Sequence, residues 1–265
     1  SGLYKVVINA NEVLANIDRV SEIDPAFDEF YVKQYKNALI GMRSWAYFTL
    51  AKLQGEVAYI EDNMTSLPSN GLKYMSKGEI MDTLINQMLP YLHLDVDLVE
   101  IIFIGFVNTK ALIGEIYLEK NDYQNAAVYL KLGMESLDND TKFYKLHANK
   151  NDTWKDIFVN AEGQIHENIC VVPFKSTDGQ VNPVTGWSLF NDQYLIKPPR
   201  TLMQLFQNQV PLKGDVGDKY RGIGYSVDTI NANTPFINKY SIDLGEPYGS
   251  DIIVSRAADV HLLLA

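Results

Sequence analysis

A single cysteine, Cys170, in 265 residues excludes an intrachain disulfide and any zinc site built on several thiolates. It lies in the apolar run ICVVPF, residues 169–174, with no neighbour that would activate its thiol. It therefore reads as a small buried hydrophobe. Long apolar runs are missing as well. The longest, IIFIGFV at 101–107, is far shorter than the roughly 20 residues that cross a bilayer, and no signal peptide is visible. Positive charge is scarce: 23 Lys and Arg against 33 Asp and Glu give a net charge of -10. That excludes a phosphate-tracking nucleic-acid surface and does not suit an anionic membrane. A neutral ligand is indifferent to it.

Catalytic signatures are also lacking. The four histidines, His93, His147, His166 and His261, include no zinc-binding pair on a helix, and His166-Glu167 lacks the second histidine. There is no Gly-x-Ser-x-Gly elbow and no phosphate-binding glycine loop. Asp215 and Asp218 do not provide the ladder of oxygens of a calcium loop. No cofactor, metal or catalytic residue is expected. A glycosidase acid pair cannot be singled out among so many carboxylates.

What is present is mostly helix. With 46% hydrophobic and 21% charged residues the chain has ample core material. Residues 3–18 place Leu3, Val7, Leu14 and Ile17 on one face, interrupted by Asn11, and a break is expected at Asp24-Pro25. A long helix follows over about 27–53, with Asp24 and Pro25 marking its start. Tyr31, Tyr35, Ala38, Met42, Trp45, Thr49 and Leu53 form its expected core stripe, with Trp45 in the core. Tyr47 and Phe48 add further apolar area, and Gly55 marks the exit. Residues 61–75 read as a polar loop, and Ser76 with Glu79 as a capping box. The helix so opened carries Ile80, Leu84, Met88 and Leu92, with Pro90 near its end.

The stretch 109–137 reads as a helical hairpin broken at Asn121-Asp122, with Asp122 capping the second helix. Gly114, Tyr117, Ala126 and Gly133 fall at positions about 8, 11, 20 and 27 of the roughly 34-residue tetratricopeptide repeat. Small residues are needed there because the two helices cross closely. From residue 138 to 255 the chain is rich in Asn, Asp, Gly and Pro. A strand is expected over 169–174, a short helix over 201–206, and another helix from Ser255. The chain stops in an apolar run, His261 to Ala265, without a cap, which reads as a fragment.

The ordered set of motifs resembles the SusD/RagB-like family of nutrient-binding outer-membrane lipoproteins. The carrying residues are MRSWAYFTLAKLQGEVAYI at 42–60, Lys110-Ala111 with Ile116-Tyr117-Leu118, and Asn121 to Ala127. Glu167-Asn168-Ile169 with Val172 and Phe174, Asp218-Lys219-Tyr220-Arg221, Lys239-Tyr240 and Arg256 to Ala265 complete it. The last piece, Arg-x-Ala-Asp-Val-x-Leu-Leu-x-Ala, is the most specific. Leu53-Gln54-Gly55-Glu56-Val57-Ala58 departs from the family pattern by losing a Tyr and a Pro.

The resemblance implies a mainly α fold of tetratricopeptide-like hairpins in an α-α superhelix, with a large irregular loop-rich region and a few short strands. One domain is expected: 1–137 as helical scaffold, 138–255 as an irregular ligand-presenting region and 256–265 as the start of a further helix. The resemblance also implies a cell-surface lipoprotein, anchored in the outer membrane by an N-terminal lipid outside this sequence. Such a protein delivers oligosaccharides or peptides to a SusC-like TonB-dependent transporter.

The candidate contact residues come from the chain itself. Sugar C–H faces stack on aromatic rings beside planar polar groups. The stretch 182–200 offers Trp187, Asn191 and Tyr194; Trp154 and the Gly-flanked Tyr225 are further candidates. The competing reading packs Trp187 and Trp154 onto the scaffold. Arg43, Arg221 and Arg256 read as makers of structural hydrogen bonds or ion pairs. The alternatives to glycan capture are a tetratricopeptide-type module binding a peptide, and a glycoside hydrolase.

Overall fold

The computed structural model describes residues 2–60, 71–94, 107–134, 144, 146, 156–159, 167–174, 179–180, 182–184, 195–208, 222–224, 226–230, 234–240 and 251–265. The protein is mainly α, built on helical hairpins with a few short antiparallel strand pairs. It divides into two compact units, Ser1–Tyr144 with Ala258–Ala265, and Lys145–Ala257.

The first unit opens with α1 (Gly2–Ile23) and α2 (Glu29–Gln54), packed as an antiparallel pair. The turn between them falls at Asp24-Pro25, as expected. The cap does not. Asp28, not Asp24, accepts hydrogen bonds from the amides of Phe30 and Tyr31, at 2.9 and 3.3 Å. Asp24 accepts from the Ala26 amide instead and shapes the turn, so the helix starts later than the proline implied.

The expected stripe on α2 is also corrected. Leu53 is 75% exposed and Tyr31 39% exposed, and Trp45 is only half-buried at the edge of the core. Of the expected stripe Ala38 is buried; the rest of the buried set is Val32, Ile40, Gly41, Ala46, Tyr47, Phe48, Leu50 and Ala51, together with the polar Gln34, Asn37, Arg43 and Ser44. The reason is packing on several sides. α1 and the later helices Lys77–Met88 and Thr109–Glu119 all lie against α2, so its second half is buried around most of its circumference and no single stripe survives. Gly55 closes the helix at φ 78°, with its amide donating to the Ala51 carbonyl.

Beyond Gly55, β1 (Glu56–Tyr59) pairs antiparallel with β2 (Lys73–Ser76), Val57 opposite Met75. The loop expected over 61–75 therefore ends earlier, because Lys73 to Met75 join the ribbon; residues 61–70 lie outside the described residues. Ser76 ends β2 and caps α3 (Lys77–Met88) with the full reciprocal capping box to Glu79. Ile80, Leu84 and Met88 are fully buried, and Leu89–Leu94 continue as a 3₁₀ turn around Pro90.

α4 (Thr109–Glu119) and α5 (Tyr123–Met134) form the hairpin that the repeat phasing requires. A Cβ on Gly114 would stand 2.6 Å from Leu130 Cγ, and one on Gly133 2.8 Å from the Ala111 amide nitrogen. No side chain fits at either crossing. Asn121 takes φ 62° at the break, and Asp122 accepts from the Asn125 amide. Asn108 caps α4 and donates to the Gly133 carbonyl at 3.0 Å, which ties the two ends of the hairpin. Gly41 of α2 brings the third helix in: its Cβ would lie 2.8 Å from Thr109 Cγ2.

A polar ladder crosses this unit. Asn11, which interrupts the apolar face of α1, accepts from Arg43 Nη1 at 2.8 Å. Arg43 Nη2 donates to Gln87 Oε1, and Gln87 donates to the Tyr59 hydroxyl at 2.6 Å. Tyr47 exchanges hydrogen bonds with the backbone of Ile60. The ladder joins α1, α2, α3 and β1 and holds the end of β1. The structural role expected of Arg43 is thus observed.

The second unit holds α6 (Asp156–Val159), β3 (Asn168–Val172), α7 (Arg200–Gln207), β4 (Val227–Ile230), β5 (Thr234–Ile237) and β6 (Ile252–Arg256). β3 pairs antiparallel with β6 through an irregular register, and β4 with β5. The strand near 169 and the helix near 201 were legible in the sequence; β6 was not. Ser255 and Arg256 belong to that strand, and the expected helix starts only at Ala257 as α8 (Ala257–Leu264). Ala257 and Val260 are buried. No described helix is long and apolar enough to cross a membrane.

Candidate functional site

Trp154, Trp187, Asn191, Tyr194 and Tyr225, the expected ligand contacts, lie outside the described residues, as do Arg221, Asp215 and Asp218. Their flanks in the second unit are described, and each flank carries an anchor. Asn182, at the start of the 182–200 stretch, is fully buried, with Oδ1 accepting from the Val184 amide at 2.8 Å. At the far end Pro198 is buried, and the Pro199 carbonyl accepts the Leu202 amide as α7 begins. Between these two anchors Leu195 is 82% exposed.

Either side of position 225 the backbone is braced by β4 and β5. The Gly224 amide donates to the Val227 carbonyl, Asn238 Nδ2 to the Gly224 carbonyl, and the Asn238 amide to the Ser226 carbonyl. Gly224 takes φ 91°, a conformation glycine adopts without strain. After position 154, Ile157 and Phe158 are buried. Phe158 meets Tyr240 edge-on at 5.8 Å, and Lys239 Nζ stands 4.4 Å from its ring. The Ile157 carbonyl accepts from Asn168 Nδ2 at the start of β3.

The β3–β6 ribbon joins two of the motifs that carry the resemblance. Glu167, buried just before β3, lies 3.5 Å from Arg256 Nη1. Its carbonyl accepts the Ala257 amide at 2.7 Å. The pair is internal to the fold, which fits the structural role expected of Arg256. Asp251, immediately before β6, is buried and accepts from the Phe174 amide.

Burial pushes the Cys170 thiol up to about 12, so the thiolate nucleophile is inaccessible near neutral pH. Burial also raises the Glu115 carboxyl on α4; Lys52 opposes that shift and Asp259 of α8 adds to it. Among the described residues no group of three His, Cys, Asp or Glu side chains could hold a metal ion.

One feature of the surface escaped sequence reasoning. Phe27, Phe30, Tyr31 and Tyr35 form a contiguous aromatic cluster at the α1–α2 turn. Its signal was present as four rings in nine residues behind Asp24. The periodic stripe assigned Tyr31 and Tyr35 to the core instead.

A scaffold of tetratricopeptide-like hairpins and a loop-rich unit of short antiparallel ribbons together define the class: the chain has the SusD-like fold. A SusD superfamily protein from Bacteroides vulgatus superposes with a TM-score of 0.72 at 17% identity, over 99% of this chain and 60% of its own. A laminarin-binding SusD-like protein gives 0.67 at 17% identity, over 99% and 64%. Surface glycan-binding protein A from Bacteroides uniformis gives 0.66 at 16% identity, over 99% and 59%. The chain thus spans about 60% of the length of the structures it matches. No protein-family model and no curated protein matches the sequence.

Proposed function

We propose that this chain belongs to a SusD/RagB-like surface protein that binds neutral oligosaccharides without cleaving them and passes them to a SusC-like TonB-dependent transporter. The observation that carries the reading is the fold likeness over 99% of the chain to structures that include a laminarin-binding and a surface glycan-binding protein. The order of the SusD-like motifs along the chain supports it independently. So does the pairing of two of them, through Glu167 and Arg256. In this reading the helical unit is scaffold and transporter contact, and residues 138–255 present the ligand. Trp187, Asn191, Tyr194, Trp154 and Tyr225 are the proposed contacts, with rings to stack on pyranose faces and the Asn191 amide to meet hydroxyls. An N-terminal lipid anchor would hold the whole protein at the outer-membrane surface.

The test is affinity electrophoresis in gels cast with laminarin, amylopectin, xyloglucan or mannan, using wild type and Trp187→Ala. Retardation of the wild type by at least one polysaccharide, weakened about tenfold or more in the variant at unchanged thermal stability, supports the proposal. Retardation by none of them overturns it. Release of shortened oligosaccharides from the bound polymer would identify a hydrolase instead. The α4–α5 hairpin, with its glycine crossings, favours one second reading, a peptide-binding helical module. A peptide library that binds where glycans do not would establish that reading.

A further inference from the structure

On the glycan-binding reading, we infer that the aromatic cluster at the α1–α2 turn is a second stacking surface for neutral glycans, carried by the helical unit and distinct from the 182–200 stretch. Phe27 and Tyr31 stack at 6.1 Å with an interplanar angle of 18°. Phe27 meets Tyr35 at 5.4 Å, and Phe30 meets Tyr31 edge-on at 5.5 Å. Tyr31 and Tyr35 stand one turn apart on α2, and Phe27, just ahead of the Asp28 cap, touches both rings. Val32, Gln34, Asn37 and Ala38 are buried in this part of α2 and Phe27 and Tyr35 are half-buried, so Phe30 and Tyr31 are the open rings of the cluster. Phe30 and Tyr31 remain 41% and 39% exposed. Single exposed apolar residues are ordinary; a cluster of rings in mutual contact marks a binding surface.

The rim identifies the chemistry. Asp24 and Asp28 each commit Oδ1 to backbone amides, which fixes both carboxylates and leaves Oδ2 to accept from a ligand hydroxyl. Lys33 pairs with Glu29, and Lys36 with Asp18, both at 2.7 Å, so the neighbouring cations are engaged. Rings surrounded by acceptors suit a pyranose, whose C–H face stacks while its hydroxyls donate. Two fixed carboxylates on a chain of net charge -10 oppose an anionic lipid surface or a phosphorylated ligand. They also oppose a second copy of the chain, which would bring like charges together.

The experiment uses the polysaccharide that retards the wild type most among laminarin, amylopectin, xyloglucan and mannan, and a hexasaccharide cut from it. Phe30→Ala/Tyr31→Ala is expected to weaken polysaccharide binding about five- to tenfold. Phe30→Trp/Tyr31→Trp, which keeps the stacking surface, is expected to restore it. On the wild type, ring resonances of Phe27, Phe30, Tyr31 and Tyr35 should shift when the hexasaccharide is added at millimolar concentration. That readout is independent of how the alanine variant folds. Binding of the alanine variant within twofold of wild type, or unmoved ring resonances, overturns the inference and leaves the proposed function standing if Trp187→Ala still weakens binding. A wild type that binds none of the four polymers overturns both. Self-association through this face, abolished by the alanine pair, also overturns the inference.

Discussion

Arg256 Nη1 lies 3.5 Å from Glu167 Oε1, joining positions 89 residues apart across the β3–β6 ribbon. Glu167 is 4% exposed, so removing Arg256 would leave a buried acidic side chain without this partner. Arg256→Ala is expected to destabilise the protein by about 3 kcal/mol, the lower end for removing one partner of a buried pair, because the Arg256 side chain keeps 23% exposure. Urea denaturation of the second unit is the measurement. A loss below about 0.5 kcal/mol would place the pair among surface ion pairs.

The hairpin glycines make a contrasting set. Gly114→Ala and Gly133→Ala force a Cβ to within 2.6 and 2.8 Å of the facing helix, so each should cost about 1–3 kcal/mol by overpacking. Gly78→Ala meets nothing within 4 Å and should stabilise α3 by up to about 1 kcal/mol, since alanine is the better helix former. Thermal melts of the three variants separate the two effects by sign.

These glycines also show what was legible in the sequence. The Gly114 and Gly133 crossings, the Asp122 cap, the Ser76–Glu79 box and the Gly55 exit are local devices. Each satisfies backbone geometry or a close approach within a few residues or one hairpin, so spacing alone exposes them. The β3–β6 pairing depends on residues far apart in the chain. Apolar periodicity carries no information about which distant strand completes a ribbon, and Ser255-Arg256 therefore read as helix. The α2 stripe failed for another reason. A helix packed on three sides loses its one-faced pattern, and Tyr31 and Leu53 then fit the period while standing in solvent. Contact aromatics share composition with core aromatics, so Trp187 and Trp154 could be proposed for a site only from their polar and glycine neighbours.

The buried polar ladder gives a third prediction. Asn11→Ala removes the acceptor 2.8 Å from Arg43 Nη1 and should cost about 1.5–3 kcal/mol, the range for hydrogen bonds to charged groups. Arg43 also holds Gln87, which holds Tyr59, so the cost should fall below additivity when Gln87→Ala is combined with it. A double-mutant cycle checks the coupling.

Glu115 predicts a pH dependence. Its carboxyl is raised above 4.5 by burial, so the folded state disfavours the charge. Its contribution to stability is fully present below the ordinary carboxylate value and is lost as pH rises through the raised one. Glu115→Gln is neutral throughout. It should match wild type near pH 4 and exceed it at pH 7, as read from melting temperatures at the two pH values. The same ordering at both would contradict the assignment.

Whether this chain binds neutral glycans without cleaving them, as proposed, is decided by affinity electrophoresis of the wild type and Trp187→Ala in laminarin, amylopectin, xyloglucan and mannan gels. Retardation of the wild type by at least one polymer is expected, with about tenfold weaker binding by the variant at the same melting temperature and no oligosaccharide release. Unretarded migration of the wild type in all four gels would contradict it.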